Sequence, residues 1–169
     1  MVLEKKSTVE TTVIFSDDKV HRFLLQRKWD NGNKRKATII MLNPSFADQI
    51  KIDLTVMKVG NYLADHEYDS LDIVNLFSYI STDPENLVRN RDLIRGETDS
   101  YIMEAIKKSD LVIIAWGSDQ KKYVTRKREV TRIIQKYAGN VKCIKDSQGR
   151  KGRHPSRLGN DLALVDFFN

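Results

Sequence analysis

The sequence predicts an α/β fold: a three-layer α/β/α arrangement around a central, mainly parallel four-stranded sheet, preceded by an N-terminal β-hairpin. Three observations lead there. Four short apolar runs, at residues 37–42, 71–76, 111–116 and 141–144, are separated by stretches of helical periodicity, and strands alternating with helices imply parallel pairing through right-handed crossovers. The stronger runs are continuous rather than alternating, as in strands buried on both faces. No repeat, low-complexity tract or linker divides the 169 residues, a length that suits one domain over 1–169.

Taken in chain order, residues 13–15 and 20–27 flank the polar turn Ser16-Asp17-Asp18-Lys19 and read as the hairpin, with Phe23 and Leu25 at alternate positions. Asp30-Asn31-Gly32-Asn33 carries strong turn chemistry. ATIIML at 37–42, set between charge and Asn-Pro, is the first buried strand. A helix over 56–65 puts Val56, Val59, Tyr62 and Leu63 on one side, and LDIVNL at 71–76 is the second strand. Thr82-Asp83-Pro84-Glu85 is a helix start, with Pro near N1 and carboxylates in the first turn. A longer helix covers 98–108, where Ile102, Ala105 and Ile106 share a face. LVIIAW at 111–116 is the third strand. A basic helix over 124–137 then turns Val130, Ile133, Ile134 and Tyr137 inward, VKCI at 141–144 is the weaker fourth strand, and apolar residues of 162–168 pack near the end.

Composition narrows the setting. No apolar run approaches the ~20 residues of a membrane span. The first residues, MVLEKKSTVETT, lack the apolar core of a secretory signal. The single cysteine, Cys143, cannot form an internal disulfide. A cytoplasmic protein is the expectation. Its net charge is +6, gathered in three places: Arg27, Lys28, Lys34, Arg35 and Lys36; Lys121, Lys122, Arg126, Lys127, Arg128, Arg132 and Lys136; and Lys145, Arg150, Lys151, Arg153 and Arg157. Such surfaces attract polyanions through counterion release, so nucleic acid or a nucleotide is the expected partner class, against the plainer reading of a solvated face.

In an open parallel sheet, ligands bind beyond the carboxyl ends of the strands. There the chain reads Asn43-Pro44-Ser45-Phe46-Ala47-Asp48, then Asn75, then Trp116-Gly117-Ser118-Asp119, then His154-Pro155-Ser156-Arg157. Pro44 biases Asn43 toward extended backbone and can hold its amide in one orientation, although Asn-Pro-Ser is also a common turn. Asp48 lies closest to the strand end and is the catalytic carboxylate to consider; Asp53 suits a helix cap. A neutral imidazole at His154 can donate to a carbonyl or a developing anion; the alternative is an exposed loop histidine. His21, His66 and His154 show no metal spacing, and no phosphate-binding glycine motif or nucleophile elbow is present, so neither metal nor cofactor is expected.

These stations also carry a resemblance. MLNPSFAD, D-x-T, VNLFSYISTDP-x-x-L, IIAWG and G-x-x-x-x-HP-x-x-L resemble the DUF1643 family, whose bacterial, archaeal and viral members have no settled activity. More distantly, the order MLNPS, IVNL, IAWG, HPSRLG is similar to the four motifs of uracil-DNA glycosylases. That likeness implies a glycosylase-like fold and a role for each station. Asn43 would orient a water, Asn75 would read the base edge, and His154 would stabilise the departing base. Phe46 or Phe77 would stack on it, Pro44, Trp116 and Gly117 would line the pocket, and Ser156 and Arg157 would press on the nucleic acid. The chain departs from the glycosylase pattern in lacking the glycine before Asn43 and a tyrosine after Pro44, and in having Arg157 and Gly159 where Pro and Ser are usual. The resemblance implies a nucleobase- or nucleotide-recognising protein acting as a hydrolase of N-glycosidic bonds. Two alternatives stand beside it: a non-catalytic nucleotide- or nucleic-acid-binding protein, viral or defence-related, and a partner-binding protein whose polar loops are structural.

Overall fold

A continuous apolar run makes an inner strand because each side chain finds a hydrophobic neighbour on whichever face it points to. The computed structural model describes residues 2–30, 32–45, 53–81, 93–94, 96–117, 121–157 and 162–168. Its elements are β1 (Val9–Phe15), β2 (Arg22–Trp29), β3 (Lys36–Met41), α1 (Leu54–Asp65), β4 (Ser70–Asn75), α2 (Thr98–Lys107), β5 (Leu111–Ile114), α3 (Val124–Tyr137), β6 (Val141–Lys145) and β7 (Ala163–Asp166). The helix start expected at Thr82-Asp83-Pro84-Glu85 lies outside the described residues.

All seven strands form one sheet, in the order β1-β2-β4-β3-β5-β6-β7. Neighbours β4, β3, β5 and β6 run parallel. The expected four-stranded sheet is corrected at both margins. There β2 pairs antiparallel with β4, β1 with β2, and β7 with β6. The sheet is therefore mixed and seven-stranded, the hairpin is part of it, and the apolar tail supplies a strand. A physical reason is at hand: four parallel strands alone would end in two rows of unpaired backbone groups, which the antiparallel strands satisfy.

Alternation sorts the side chains into two cores. Ala37, Ile39, Met41, Leu71, Ile73, Leu111 and Ile113 face α1, where Val56, Val59 and Leu63 complete the packing. Ile40, Val74, Val112, Ile114 and Cys143 point the other way, onto Ile102, Ala105 and Ile106 of α2 and Val130 and Ile134 of α3. Helices thus cover both faces of the sheet.

Arg126 departs from the expected basic surface. It is 6% exposed; its Nε donates to the Leu76 carbonyl at 2.8 Å, Nη2 meets Asp99 at 2.5 Å and Nη1 meets Glu129 at 3.2 Å. A guanidinium is buried here because every side of its fork has an acceptor. Arg126→Ala is expected to lower stability by about 2–3 kcal/mol, through the lost stem packing and the stranded Leu76 carbonyl. A denaturant midpoint within error of wild type would show that these contacts contribute nothing.

Candidate functional site

Backbone hydrogen bonds carry the parallel pairing past the ends of the strands. Met41 stands opposite Asn75; beyond them Leu76 N–H donates to Met41 O at 2.9 Å, Phe77 N–H to Leu42 O at 3.0 Å and Ser81 N–H to Pro44 O at 3.1 Å. On the other side Ala115 N–H donates to Ile40 O at 2.9 Å, and Gly117 N–H to Gly152 O at 2.8 Å. Gly117 and Gly152 have φ of 98° and 75°, a region that favours glycine. A Cβ on Gly152 would sit 3.5 Å from Gly117 O. The segments after β3, β4, β5 and β6 thus emerge at one edge of the sheet.

The two asparagines there are treated differently. Asn43 Nδ2 donates to Ser81 O at 2.6 Å and to Pro44 O at 3.2 Å, so that nitrogen holds two loops together and leaves the acceptor Oδ1 to offer a water or ligand. Asn75 follows Leu71 and Ile73 on the α1 face of β4 and is 3% exposed. Both its Nδ2 and its Oδ1 are buried without a hydrogen-bond partner among the described residues. One donor and one acceptor, side by side and unsatisfied, are complementary to a planar edge that carries an acceptor next to a donor.

His154 precedes the turn Pro155–Arg157, which packs against α1. Ser156 N–H donates to His154 Nδ1 at 3.3 Å, and the Ser156 hydroxyl lies 2.8 Å from the same nitrogen. An amide N–H can only donate, so Nδ1 is an acceptor and the neutral ring carries its proton on Nε2. The loop leading to it is organised by Asp146, whose side chain is 5% exposed. That carboxylate accepts from the Gln148 and Arg150 amides and pairs with Arg150 at 2.7 Å and Arg153 at 3.2 Å. Burial alone would raise its pKa, but the Arg150 amide and guanidinium and the Gln148 amide outweigh that and hold the carboxyl below its usual range.

Ser45 Oγ donates to Asp53 Oδ2 at 2.7 Å, while Asp53 Oδ1 accepts from Val56 N–H and caps α1. Two aromatic residues expected at the ligand are buried in the fold. Phe77 and Trp116 are 4% and 7% exposed and belong to the core against α2 and α3, where Phe77 meets Tyr123 and Trp116 meets Phe167 edge to face. Trp116 follows the alternation of Val112 and Ile114, whereas Phe77 breaks that of Leu71, Ile73 and Asn75 and turns with Leu76 to the opposite face. Phe46, Asp48, Ser118 and Asp119 lie outside the described residues, as does the side chain of Arg157.

Sequence reasoning missed Arg22. It is 2% exposed, and its Nη1 donates to Ser45 O at 3.2 Å. Burial lowers its pKa to about 10, with Asp53 opposing the shift, so it remains a cation at neutral pH. A lone charge at the start of an otherwise apolar strand, HRFLL, was the available signal. The basic clusters also shrink. Arg27 and Arg126 are buried, Lys36 pairs with Asp72 at 2.5 Å, and Arg150 and Arg153 serve Asp146, whereas Lys121, Lys122, Arg128, Arg132 and Lys136 stay exposed. A cavity of about 520 Å³ opens at the opposite, amino end of the strands, lined by Arg35, Tyr62, Tyr68 and Lys142 among others. Its cations are already engaged, Arg35 by Tyr68 Oη and Lys142 by Asp166. Among the described residues no group of His, Cys, Asp or Glu is arranged to hold a metal ion, and no helix is long and apolar enough to cross a membrane.

Two outcomes follow. Asn75→Leu, near-isosteric, removes two unsatisfied buried atoms and is expected to leave the fold unchanged in stability or stabilise it by about 1–3 kcal/mol; a clear fall in melting temperature would mean that the amide is satisfied in solution. The Asp146 carboxyl, being depressed, stabilises the loop above the unfolded pKa of about 3.9, and that contribution disappears as pH falls through the lower folded value. Amide exchange at Gln148 and Arg150, corrected for intrinsic rates, should therefore accelerate below about pH 4, and uniform protection down to pH 2 would contradict the assignment.

A profile of known families matches residues 22–156, and its description is a protein of unknown function, DUF1643. No curated protein and no solved structure matches the chain. The first three strand-end stations and His154-Pro155-Ser156 of the fourth lie inside the matched residues, and the chain belongs to the DUF1643 family.

Proposed function

We propose that this protein recognises a nucleobase, free or within a nucleotide or nucleic acid, at the carboxyl edge of the parallel strands. The unsatisfied, buried amide of Asn75 carries the reading. Such a group costs about 1–3 kcal/mol in the unliganded fold, and a base edge with its own donor and acceptor relieves that cost on binding. The reaction this edge supports best is hydrolysis of an N-glycosidic bond, in the manner of the uracil-DNA glycosylases that the motifs resemble. When the bond from the sugar carbon to the base breaks, the base leaves with the electron pair. Donation from His154 Nε2–H stabilises the negative charge that develops. Asn43 Oδ1 accepts from and orients the water that adds to the sugar carbon, with Asp48 as the proton acceptor, and the departing base is finally protonated by solvent. A parallel four-strand core with helices on both faces suits a glycosylase-like scaffold, and the exposed lysines and arginines of α3 suit a polyanionic substrate.

A second reading, a non-catalytic nucleotide-binding protein, is favoured by one observation: Asn43 Nδ2 and the Ser45 hydroxyl are already engaged by Ser81 and Asp53. Two measurements separate the readings. Oligonucleotides containing uracil, hypoxanthine or modified bases, incubated with the protein and treated with alkali, are cleaved only if glycosidic hydrolysis occurs. A thermal-shift screen of free bases, nucleotides and cyclic dinucleotides detects binding without turnover. Asn75→Leu should abolish the ligand-dependent shift, and His154→Ala should reduce turnover or affinity at least ten-fold, about 1.4 kcal/mol, at an unchanged melting temperature. Intact DNA together with no shift for any ligand would refute both readings.

A further inference from the structure

Arg22 reaches the site because β2 carries one residue too many. Ile14 pairs with Leu24, but the next residue, Phe15, pairs with Arg22, so Phe23 is an insertion in the ladder. Leu24 and Phe23 both turn toward α2 and α3: Leu24 packs on that core, and the Phe23 ring stacks on Tyr101 at 5.2 Å. Two successive side chains on one face are what a bulge produces, and the next residue is re-aimed. Without it, Arg22 would share the face of Leu24. With it, the guanidinium enters the α1 side and meets Ser45 and Asp53.

The contacts made there bracket Asn75. Arg22 N–H donates to Ser78 O at 2.9 Å, in the segment leaving β4. Its Nη1 donates to Ser45 O at 3.2 Å, in the segment leaving β3. Ser45 is bound in turn to Asp53, which caps α1. One residue therefore ties both strand exits to the helix beside them. We infer that Arg22 is the positioning residue of this edge: its guanidinium holds the loop after β3 beside the start of α1 and so keeps that loop from pairing with the buried Asn75 amide. The ligand role rests on the reading of Asn75 proposed above, whereas the clamp stands on the contacts alone. A guanidinium suits the task because its rigid fork stays ionised while several donors are held in fixed directions; a lysine supplies the charge without the fork.

Arg22→Met and Arg22→Lys test the clamp. The first readout is amide exchange at Ser81, whose N–H donates to Pro44 O, with the core amide of Ile39 as the control. The second is the affinity for adenine, guanine, cytosine, uracil and their 5′-monophosphates. In Arg22→Met, Ser81 should exchange at least ten-fold faster with Ile39 unchanged, and any wild-type affinity for a probe should fall at least ten-fold. Arg22→Lys should lie between the two proteins in both respects. If Arg22→Met fails to fold, Arg22→Lys decides: faster exchange at Ser81 with Ile39 protected supports the clamp, and wild-type protection at Ser81 overturns it. Should the wild type bind none of the probes, the nucleobase reading falls while Ser81 exchange still judges the clamp. Wild-type exchange and wild-type affinity in Arg22→Met would refute the inference outright.

Discussion

Strand polarity governs this molecule. Because β4, β3, β5 and β6 all point one way, four chain segments must leave the sheet at a single edge, each with backbone groups that the ladder no longer satisfies. The chain answers by stitching neighbouring exits together: Leu76 and Phe77 to Met41 and Leu42, Ser81 to Pro44, Gly117 to Gly152. That stitching is what brings distant polar residues near one another. Four exits with helix-capping Asp53 beside them leave little room for side chains that do nothing.

Within that edge the polar groups divide by whether the fold uses them. Asn43 Nδ2, Ser45 Oγ and Asp53 all have partners that join one element to another. Asn75 is as buried as a core leucine, yet among the described residues its amide joins nothing. A local cost held by a buried polar group is the pattern expected of a site shaped for something other than stability. His154 has its tautomer set by Ser156, on a short turn that packs against α1.

Much of the scaffold could be read from residue patterns, and the failures have identifiable causes. The helix at Val124–Tyr137 and the apolar runs at Lys36–Met41 and Ser70–Asn75 declared themselves through period and continuity, which depend on local chemistry alone. The strand Ala163–Asp166 did not, because a four-residue edge strand has too short a pattern and owes its place to the open side of β6. Arg126 looked like surface charge until its three acceptors, from the residue after β4, from α2 and from its own helix, came together in space. Position was legible for Asn43, Asn75 and His154, but not their state. Whether an amide is tied or unsatisfied depends on partners dozens of residues away. The faces taken by Phe77 and Trp116 were not legible either, because Trp116 continues the alternation of β5 whereas Phe77 breaks that of β4.

The antiparallel margins have a geometric result of their own. β1 begins beside Trp29, near the start of β4, and β7 finishes opposite Lys142, near the start of β6. The outer ends of both marginal strands, Val9 and Asp166, therefore lie at the amino end of the parallel set, far from the Asn75 rim. An affinity handle, a fluorophore or a surface tether joined ahead of Val9 or behind Asp166 would project from the back of the molecule. Immobilised through either point, the protein would present its polar rim outward to whatever is flowed across it.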